Sequence, residues 1–299
     1  MSIMVKEILV MAESALKEAN CMDPKLDAER LLQYQYNLDN TGLFLMKPKM
    51  LDQKEAEKYF ELVDFRLAGM PLQYITGSQE FMGLSFKVNE NVLIPRQDTE
   101  TLVESALDYM KEADKGKGKH KGEWKVLDLC CGSGAIGISL VHYSVEAGKK
   151  IKVTASDVSQ KAISVAIDNA KKLKVEKHMN FINGDLFQPM KRRFSKQKFD
   201  LIVTNPPYIK SQVIPTLQKE VKDHEPMLAL DGGEDGLDFY KIILLEAKNY
   251  LKKGGVLMME IGHDQGSDIA EIFDKNENYS KIKVFKDLAG HDRVVIITS

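Results

Sequence analysis

Cysteine is scarce in this chain: three in 299 residues. Cys21 stands alone and Cys130 and Cys131 are neighbours, which provides neither a metal-ligand spacing nor an even disulfide framework. Adjacent cysteines do not easily pair with each other, so reduced thiols in a cytoplasmic protein are the expectation, with no metal site. An excess of one charge is also missing. The 42 Lys and Arg against 44 Asp and Glu leave −2 at pH 7, with a pI near 6.3. That balance argues against a protein that coats nucleic acid through bulk charge, though it leaves local basic patches open. No run reaches the ~18 uncharged apolar residues of a membrane span. The opening stretch MSIMVKEILVMAESALKEAN is broken by Lys6, Glu7 and Glu13 and lacks an export signal's apolar core and small-residue cleavage site. A protein without membrane association is therefore expected, monomeric by default. There are no internal repeats.

What is present is ordinary globular composition, 43% hydrophobic and 29% charged, over a length that suits two domains. Residues 1–76 are expected to be helical. Ile8, Leu9, Ala12, Ala15, Leu16 and Ala19 recur at helical spacing. DPKLDAERLLQYQYN offers Asp23 as N-cap with Pro24 at the first helical position, where a missing N–H costs nothing. LDQKEAEKYFELVDFRLAGMP offers Asp52 as a cap, Gly69 as a stop and Pro71 as a block to continuation. Residues 77–95, containing EFMGLSFKVNENVLIP, alternate like a strand pair and predict a β-hairpin linker. RQDTETLVESALDYMKEA then predicts a helix, with Thr101 and Glu104 spaced as a capping box.

From residue 96 to 299 the pattern is that of one α/β domain. Apolar strands are expected at 125–130, 152–157, 179–184, 199–205, 254–262, 281–287 and 293–299. Runs of this length separated by helical stretches indicate a Rossmann-like sheet covered on both faces. The last two strands leave no room for a helix between them, so LAGHD makes a hairpin and one of seven strands is antiparallel. KEADKGKGKHKGE (111–123) and KRRFSKQK (191–198) read as solvated loops, with contact to RNA or an acidic partner as the alternative.

DLCCGSGAIG follows the first of these strands. Gly132, Gly134 and Gly137 match G-x-G-x-x-G, and Asp157 lies 20 residues beyond Gly137 at the end of the next strand. Glycines let backbone approach a ligand without a Cβ clash, and a carboxylate one strand over can accept from both hydroxyls of a ribose. NAD and S-adenosylmethionine both carry that ribose. Asp128 inside the strand end repels a pyrophosphate and suits a cofactor bearing ammonium and sulfonium groups. NGDLF ends the third strand, where Asp185 can accept from an adenine amino group and Leu186 can cover its face. The alternatives are a helix N-cap for Asp157 and core packing for Leu186.

FDLIVTNPPYIK runs a buried strand into two imino acids. Pro206 and Pro207 lack N–H groups and hold φ, which forces a rigid exit and leaves the Pro206 carbonyl without ladder duties. Asn205 Oδ1 and that carbonyl make a fixed acceptor pair, and Tyr208 adds a ring. Two acceptors and an aromatic face suit a planar NH2 group. Binding both hydrogens while the nitrogen rehybridises directs its lone pair to an electrophilic methyl, so positioning and electrostatics carry the acceleration and no strong base is needed. The alternative is a rigid strand-ending turn with no further role.

VTNPPY resembles the motif of methyltransferases that modify planar nitrogens. PLQYITGSQEFMGLSFKV, VLIPRQDTE, VLDLCCGSGAIGISL, EPMLALDGGEDGLDFY and LAGHDRVV together resemble the HemK-type protein-(glutamine-N5) methyltransferases over nearly the whole chain. The resemblance implies a class I methyltransferase sheet with a small all-α N-terminal domain that helps dock the substrate. It implies S-adenosylmethionine as donor and, as acceptor, the glutamine of the Gly-Gly-Gln loop of bacterial-type peptide chain release factors. By position it implies that Cys130, Cys131, Gly132, Ser133, Gly134, Asp157 and Leu186 contact the cofactor. Asn205, Pro206, Pro207 and Tyr208 would hold the glutamine, with Asn205 also near the cofactor. Cys130 stands where many relatives have Gly, and its thiol is expected to be inert. Leu186 stands where some relatives carry an aromatic. Pro95, Arg96, Asp98, Thr99 and Glu100 also match the family, with spacing that suits helix capping as well as a site. The other readings are a ribosomal-protein glutamine methyltransferase, a nucleic-acid amino-methyltransferase, an NAD dehydrogenase and a non-catalytic binding module.

Overall fold

The computed structural model describes residues 2–115, 120, 122–193, 197–275 and 279–299. The centres of the two basic loops, 116–119 with 121 and 194–196, lie outside the described residues. The chain forms two compact units, Met1–Ser78 with Gln218–His224, and Gln79–Leu217 with Glu225–Ser299.

In the first unit, strand β1 (Ile3–Met4) leads into α1 (Val5–Glu18), which buries Val5, Ile8, Leu9, Ala12 and Leu16 as one apolar stripe. Asp23 holds the N-cap position of α2 (Pro24–Tyr36), but its side chain makes no cap bond. Helix α3 (Asn40–Met46), which the sequence reading did not include, is capped by Asp39 Oδ1 accepting from Gly42 N at 2.6 Å. Strand β2 (Met50–Leu51) pairs with β1. Helix α4 (Gln53–Leu67) begins with the Asp52 side chain on Glu55 N and the Glu55 side chain on Asp52 N. It stops at Gly69, whose φ of +97° an L side chain rarely adopts. Helix α5 (Leu72–Thr76) closes the unit. Arg66 is buried and bonds Asp27 Oδ2 at 2.7 Å and Glu220 Oε2 at 2.8 Å, which fastens residues 218–224 here.

The second unit opens on the hairpin β3 (Ser78–Phe81) and β4 (Leu84–Lys87). Its two turn residues, Met82 and Gly83, both have positive φ, the turn that matches strand twist. Helix α6 (Glu100–Ala113) follows a 3-10 turn at Gln97–Thr99. The expected Thr101–Glu104 capping box does not form, because the helix starts upstream of Thr101 and its amide is no longer a terminal one. Glu100 at that start accepts instead from Met82 N.

The sheet strands are β5 (Trp124–Leu129), β6 (Ile151–Asp157), β7 (Met179–Asn183), β8 (Phe199–Thr204), β9 (Leu251–Glu260), β10 (Lys281–Lys286) and β11 (Asp292–Thr298). Their order is β10-β11-β9-β8-β5-β6-β7, with β11 antiparallel to both neighbours. Helices α7 (Ala135–Glu146), α8 (Gln160–Lys172) and α9 (Gln188–Arg193) connect the early strands. Every residue of β8 is buried, as a strand covered on both faces requires. The apolar face with Leu102, Val103, Ile138 and Val153 packs on one side, and that with Phe187, Tyr240, Ile243 and Ile269 on the other. Strand β5 sits between β6 and β8, so the chain leaves β5 towards one side and returns to the other. That reversal opens a crevice at the carboxyl ends of the strands.

Candidate active site

At the crevice, Cys130 leaves β5 with φ +57° and Gly132 follows with φ +52°. The left-handed backbone at Cys130 is one that glycine adopts without strain and an L side chain rarely takes. Cys131 N donates to Ser156 O at 3.0 Å, which fastens the loop to β6. A Cβ on Gly132 would meet nothing within 4 Å, so the loop leaves open space there. A Cβ on Gly137 would stand 2.7 Å from Asp128 Oδ2, the atom that accepts from Gly137 N at 2.9 Å.

Asp128 is therefore committed to the loop. It is fully buried and is not part of the cavity wall, contrary to the expectation that its charge faces a cationic ligand. Burial raises its pKa to about 8, and the nearby Asp157 charge adds to the rise. Asp157 does reach the cavity. Its Oδ2 accepts from Gly132 N and its Oδ1 from Ser159 N, both at 2.8 Å. Burial raises its pKa while those two N–H groups oppose the rise. The N-cap of α8 is Ser159, so Asp157 is not the helix cap. Burial also pushes the thiols of Cys130 and Cys131 upward, which keeps them protonated.

A cavity of about 330 Å³ runs along these strand ends. Cys130, Gly132, Asp157, Asp185, Leu186, Asn205 and Pro207 line it, and Leu228, Ala229 and Phe239 add apolar wall. Cys131, Ser133, Gly134, Pro206 and Tyr208 are not on the wall. Ser133 faces the back of the loop, its carbonyl accepting from Asn169 Nδ2 at 2.9 Å. Leu186 joins the core and the wall at once, with φ +40°. The lining carries two carboxylates and no Lys or Arg, which suits a ligand with cationic groups and vicinal hydroxyls. A larger cavity of about 490 Å³ shares only Gly184 with it and holds none of the predicted cofactor- or substrate-binding residues, so size does not identify the site.

Thr204 at the end of β8 donates its hydroxyl to Leu129 O at 2.9 Å and locks β8 to β5. Asn205 then donates Nδ2 to Thr99 Oγ1 at 3.2 Å, which leaves Oδ1 as the free acceptor end of the amide. Pro206 and Pro207 are buried, and the Pro206 carbonyl accepts no hydrogen bond among the described residues. Tyr208 donates its hydroxyl to Glu260 Oε1 at 3.2 Å, and its carbonyl accepts from Gln265 Nε2 at 3.1 Å. Burial and the Glu260 charge push the phenol well above its ordinary pKa.

Thr99, Glu260 and Arg293 were not assigned to the site from sequence. Glu260 is 1% exposed at the end of β9. Burial raises its pKa to about 7 against the pull of the Thr99 and Tyr208 hydroxyls and the Arg293 charge. Arg293 Nη2 in turn lies 3.1 Å from Asp98 Oδ2 and 3.0 Å from Asp287 Oδ2. The available signal was a lone carboxylate closing the apolar run GVLMMEIG. Among the described residues no group of three or more His, Cys, Asp or Glu could hold a metal ion, and no helix is long and apolar enough to cross a membrane.

Two family models match the chain: a methyltransferase domain over residues 120–294 and the PrmC N-terminal domain over residues 7–77. The release factor glutamine methyltransferase of Clostridium acetobutylicum is 42% identical over 98% of this chain and 97% of its own. That of Moorella thermoacetica is 40% identical over 90% and 89%. That of Bacillus cereus is 36% identical over 97% and 98%. Among solved structures, the hMettl16 catalytic domain in complex with an RNA hairpin superposes with a TM-score of 0.53 at 14% identity, covering 84% of each chain. A human methyltransferase 10 domain containing protein does so at 0.51 and 14%, covering 80% of this chain and 96% of that one. At such identities these two structures speak for the sheet and its helices alone.

Proposed function

This chain belongs to the release factor glutamine methyltransferase family, and we propose on that premise that it methylates the side-chain amide nitrogen of the glutamine in the Gly-Gly-Gln motif of peptide chain release factors. The observation that carries the reading is the state of Asn205. Its amide nitrogen is occupied by Thr99, so its oxygen remains beside the unbonded Pro206 carbonyl on a backbone that two prolines make stiff. Two acceptors at the end of one strand match the two hydrogens of a carboxamide and nothing that lacks them.

S-adenosylmethionine, when bound, supplies a methyl group made electrophilic by its sulfonium. Gly132 and Cys130 would lie along it, Asp157 would accept from its ribose hydroxyls, and Asp185 and Leu186 would receive its adenine. Asp157 can do so while keeping its backbone bonds, because each carboxylate oxygen has a second lone-pair site. Cys131, Ser133 and Gly134 would act through the shape of the loop.

Asn205 Oδ1 and the Pro206 carbonyl would take the two amide hydrogens, with Pro207 and Tyr208 closing the acceptor side. Holding both N–H bonds as the nitrogen becomes tetrahedral concentrates its lone pair along the line of attack. Orientation of this kind is worth ~7–11 kcal/mol in favourable cases. The thiols of Cys130 and Cys131, held protonated by pKa values pushed upward, offer no competing nucleophile. The helical residues 1–76 would take part in docking the release factor.

The test is incubation of the purified chain with methyl-labelled S-adenosylmethionine and an intact release factor, followed by peptide mass spectrometry. Label on the glutamine of the Gly-Gly-Gln peptide supports the proposal. Label confined to other peptides, or to RNA, rejects it.

A further inference from the structure

The prolines of N-P-P-Y fix φ, but the aim of the Pro206 carbonyl depends on ψ, which no ring controls. Pro206 and Pro207 also have no N–H, so a neighbouring strand cannot hold them through their amides. The exit has to be set from downstream, and the buried side chain bonded to it there is Gln265. We propose that Gln265 is a positioning residue for methyl transfer: by donating to the Tyr208 and Gly236 carbonyls at once, it clamps the loop 230–236 against the N-P-P-Y exit and fixes the aim of the Pro206 carbonyl. The inference rests on the function proposed above and adds the device that holds one half of its acceptor pair.

Gln265 closes a turn after β9, its backbone N–H donating to Gly262 O at 3.0 Å. Its side-chain Oε1 accepts from Gly262 N at 2.9 Å. That bond decides the sense of the amide, because Nε2 is left to face two carbonyls, Tyr208 O and Gly236 O, both at 3.1 Å. The reverse sense would set an oxygen against two oxygens and an NH2 against an N–H. With both Nε2 hydrogens used, one side chain beyond the end of β9 joins the exit from β8 to the loop that packs on it.

The loop meets the exit from its other side through backbone. Ile209 N donates to Leu230 O at 3.0 Å, Gly232 N to Ile209 O at 2.8 Å and Ser211 N to Gly233 O at 3.0 Å. The Ser211 hydroxyl and Gly233 N both donate to Asp231 Oδ1. A Cβ on Gly232 would stand 2.7 Å from Tyr208 Cα and 2.9 Å from Pro207 O, and one on Gly236 would stand 2.5 Å from Tyr208 O. Backbone lies against backbone there, and neither side can give way as a flexible side chain could. Leu228 and Ala229 just before this loop, and Phe239 just after it, are on the cavity wall. The clamp therefore ties the wall to the acceptor side.

Gln265→Met keeps the length and removes both donors, while Gly232→Ala pushes on the exit from the opposite side. With an intact release factor, each is expected to lower kcat at least roughly tenfold, with S-adenosylhomocysteine affinity within about threefold of the parent. Tyr279→Phe controls for stability, since it removes a buried hydrogen bond outside the site, from the Tyr279 hydroxyl to Leu244 O at 2.8 Å. Its kcat should stay within about twofold of the parent. In an Asn205→Ala background the acceptor pair is already broken, so adding Gln265→Met should lower kcat by less than about threefold. A further loss of about tenfold in that background would show that the two residues act independently and would overturn the proposal. So would parent-like kcat in Gln265→Met, or a rate loss matched by Tyr279→Phe. A second measurement does not depend on turnover. Amide hydrogen exchange at Ile209 and Gly232 should quicken in Gln265→Met, while that at Val203 in β8 stays as in the parent. If the parent transfers no methyl to the glutamine, the function reading fails, and unchanged exchange at Ile209 and Gly232 would separately sink the clamp.

Discussion

Gly137 donates its backbone N–H to Asp128 Oδ2 at 2.9 Å, and a methyl group on Gly137 would stand 2.7 Å from that same oxygen. One carboxylate at the end of β5 thus holds the first turn of α7 at a distance only glycine tolerates. Gly137→Ala is expected to cost about 1–3 kcal/mol through overpacking and to weaken S-adenosylhomocysteine binding by displacing the loop. Thermal unfolding and calorimetry check the two effects.

Two buried carboxyls make stability depend on pH. Asp128 rises from 3.8 to about 8 and Glu260 from 4.5 to about 7, so the folded chain holds protons that the unfolded chain has released. Their contribution is complete below the ordinary carboxyl range and is lost as pH climbs through about 7 and about 8. The melting temperature is expected to fall between pH ~5 and ~9, and Asp128→Asn should flatten that slope. A slope unchanged in Asp128→Asn would show that the carboxyl titrates alike in both states.

Asp157 bridges Gly132 N and Ser159 N and stands on the cavity wall. Asp157→Ala removes both anchors and a charged acceptor. Hydrogen bonds to charged groups are worth ~1.5–3 kcal/mol, so S-adenosylhomocysteine affinity should fall roughly 10- to 100-fold. Titration calorimetry measures this directly.

Asn205→Ala separates acceptor geometry from cofactor binding. Turnover should drop by at least ~100-fold, while S-adenosylhomocysteine affinity changes little. Full activity in this variant would mean that the two oxygens at the strand end do not hold the glutamine.

Arg66 joins Asp27 and Glu220 in the helical unit with its side chain 8% exposed. Arg66→Ala leaves Asp27, whose pKa burial already raises, without its partner. A loss of ~3–5 kcal/mol is expected, the usual cost of stranding one buried ion. Faster protease cleavage within residues 218–224 should accompany it.

The α/β pattern and the order of strands and helices were legible because each depends on apolar periodicity within a short window. The Asp52 cap and the Gly69 stop were equally local, and both stand as read. Thr101 and Glu104 show the limit of that method. A matching spacing does not say where a helix begins, and the Gln97–Thr99 turn moved the start upstream. Asp128 shows another limit. Its place at a strand end was visible, but whether it faced a ligand or the underside of its own loop depended on the turn taken by Cys130 and Gly132.

By itself, the chain's order of residues determined a glycine-rich turn after one strand and a stiff asparagine-led exit from another, since neighbouring residues impose both through φ and the missing N–H. Tertiary structure alone decided that Thr99, Glu260 and Arg293 gather behind that exit. Glu260 and Arg293 meet there because β9 lies between β8 and β11, and the Gln97–Thr99 turn adds Thr99 from a part of the chain far away in sequence. No local periodicity encodes such a pairing, because it is won by the burial of whole strands rather than by the residues that end up bonded.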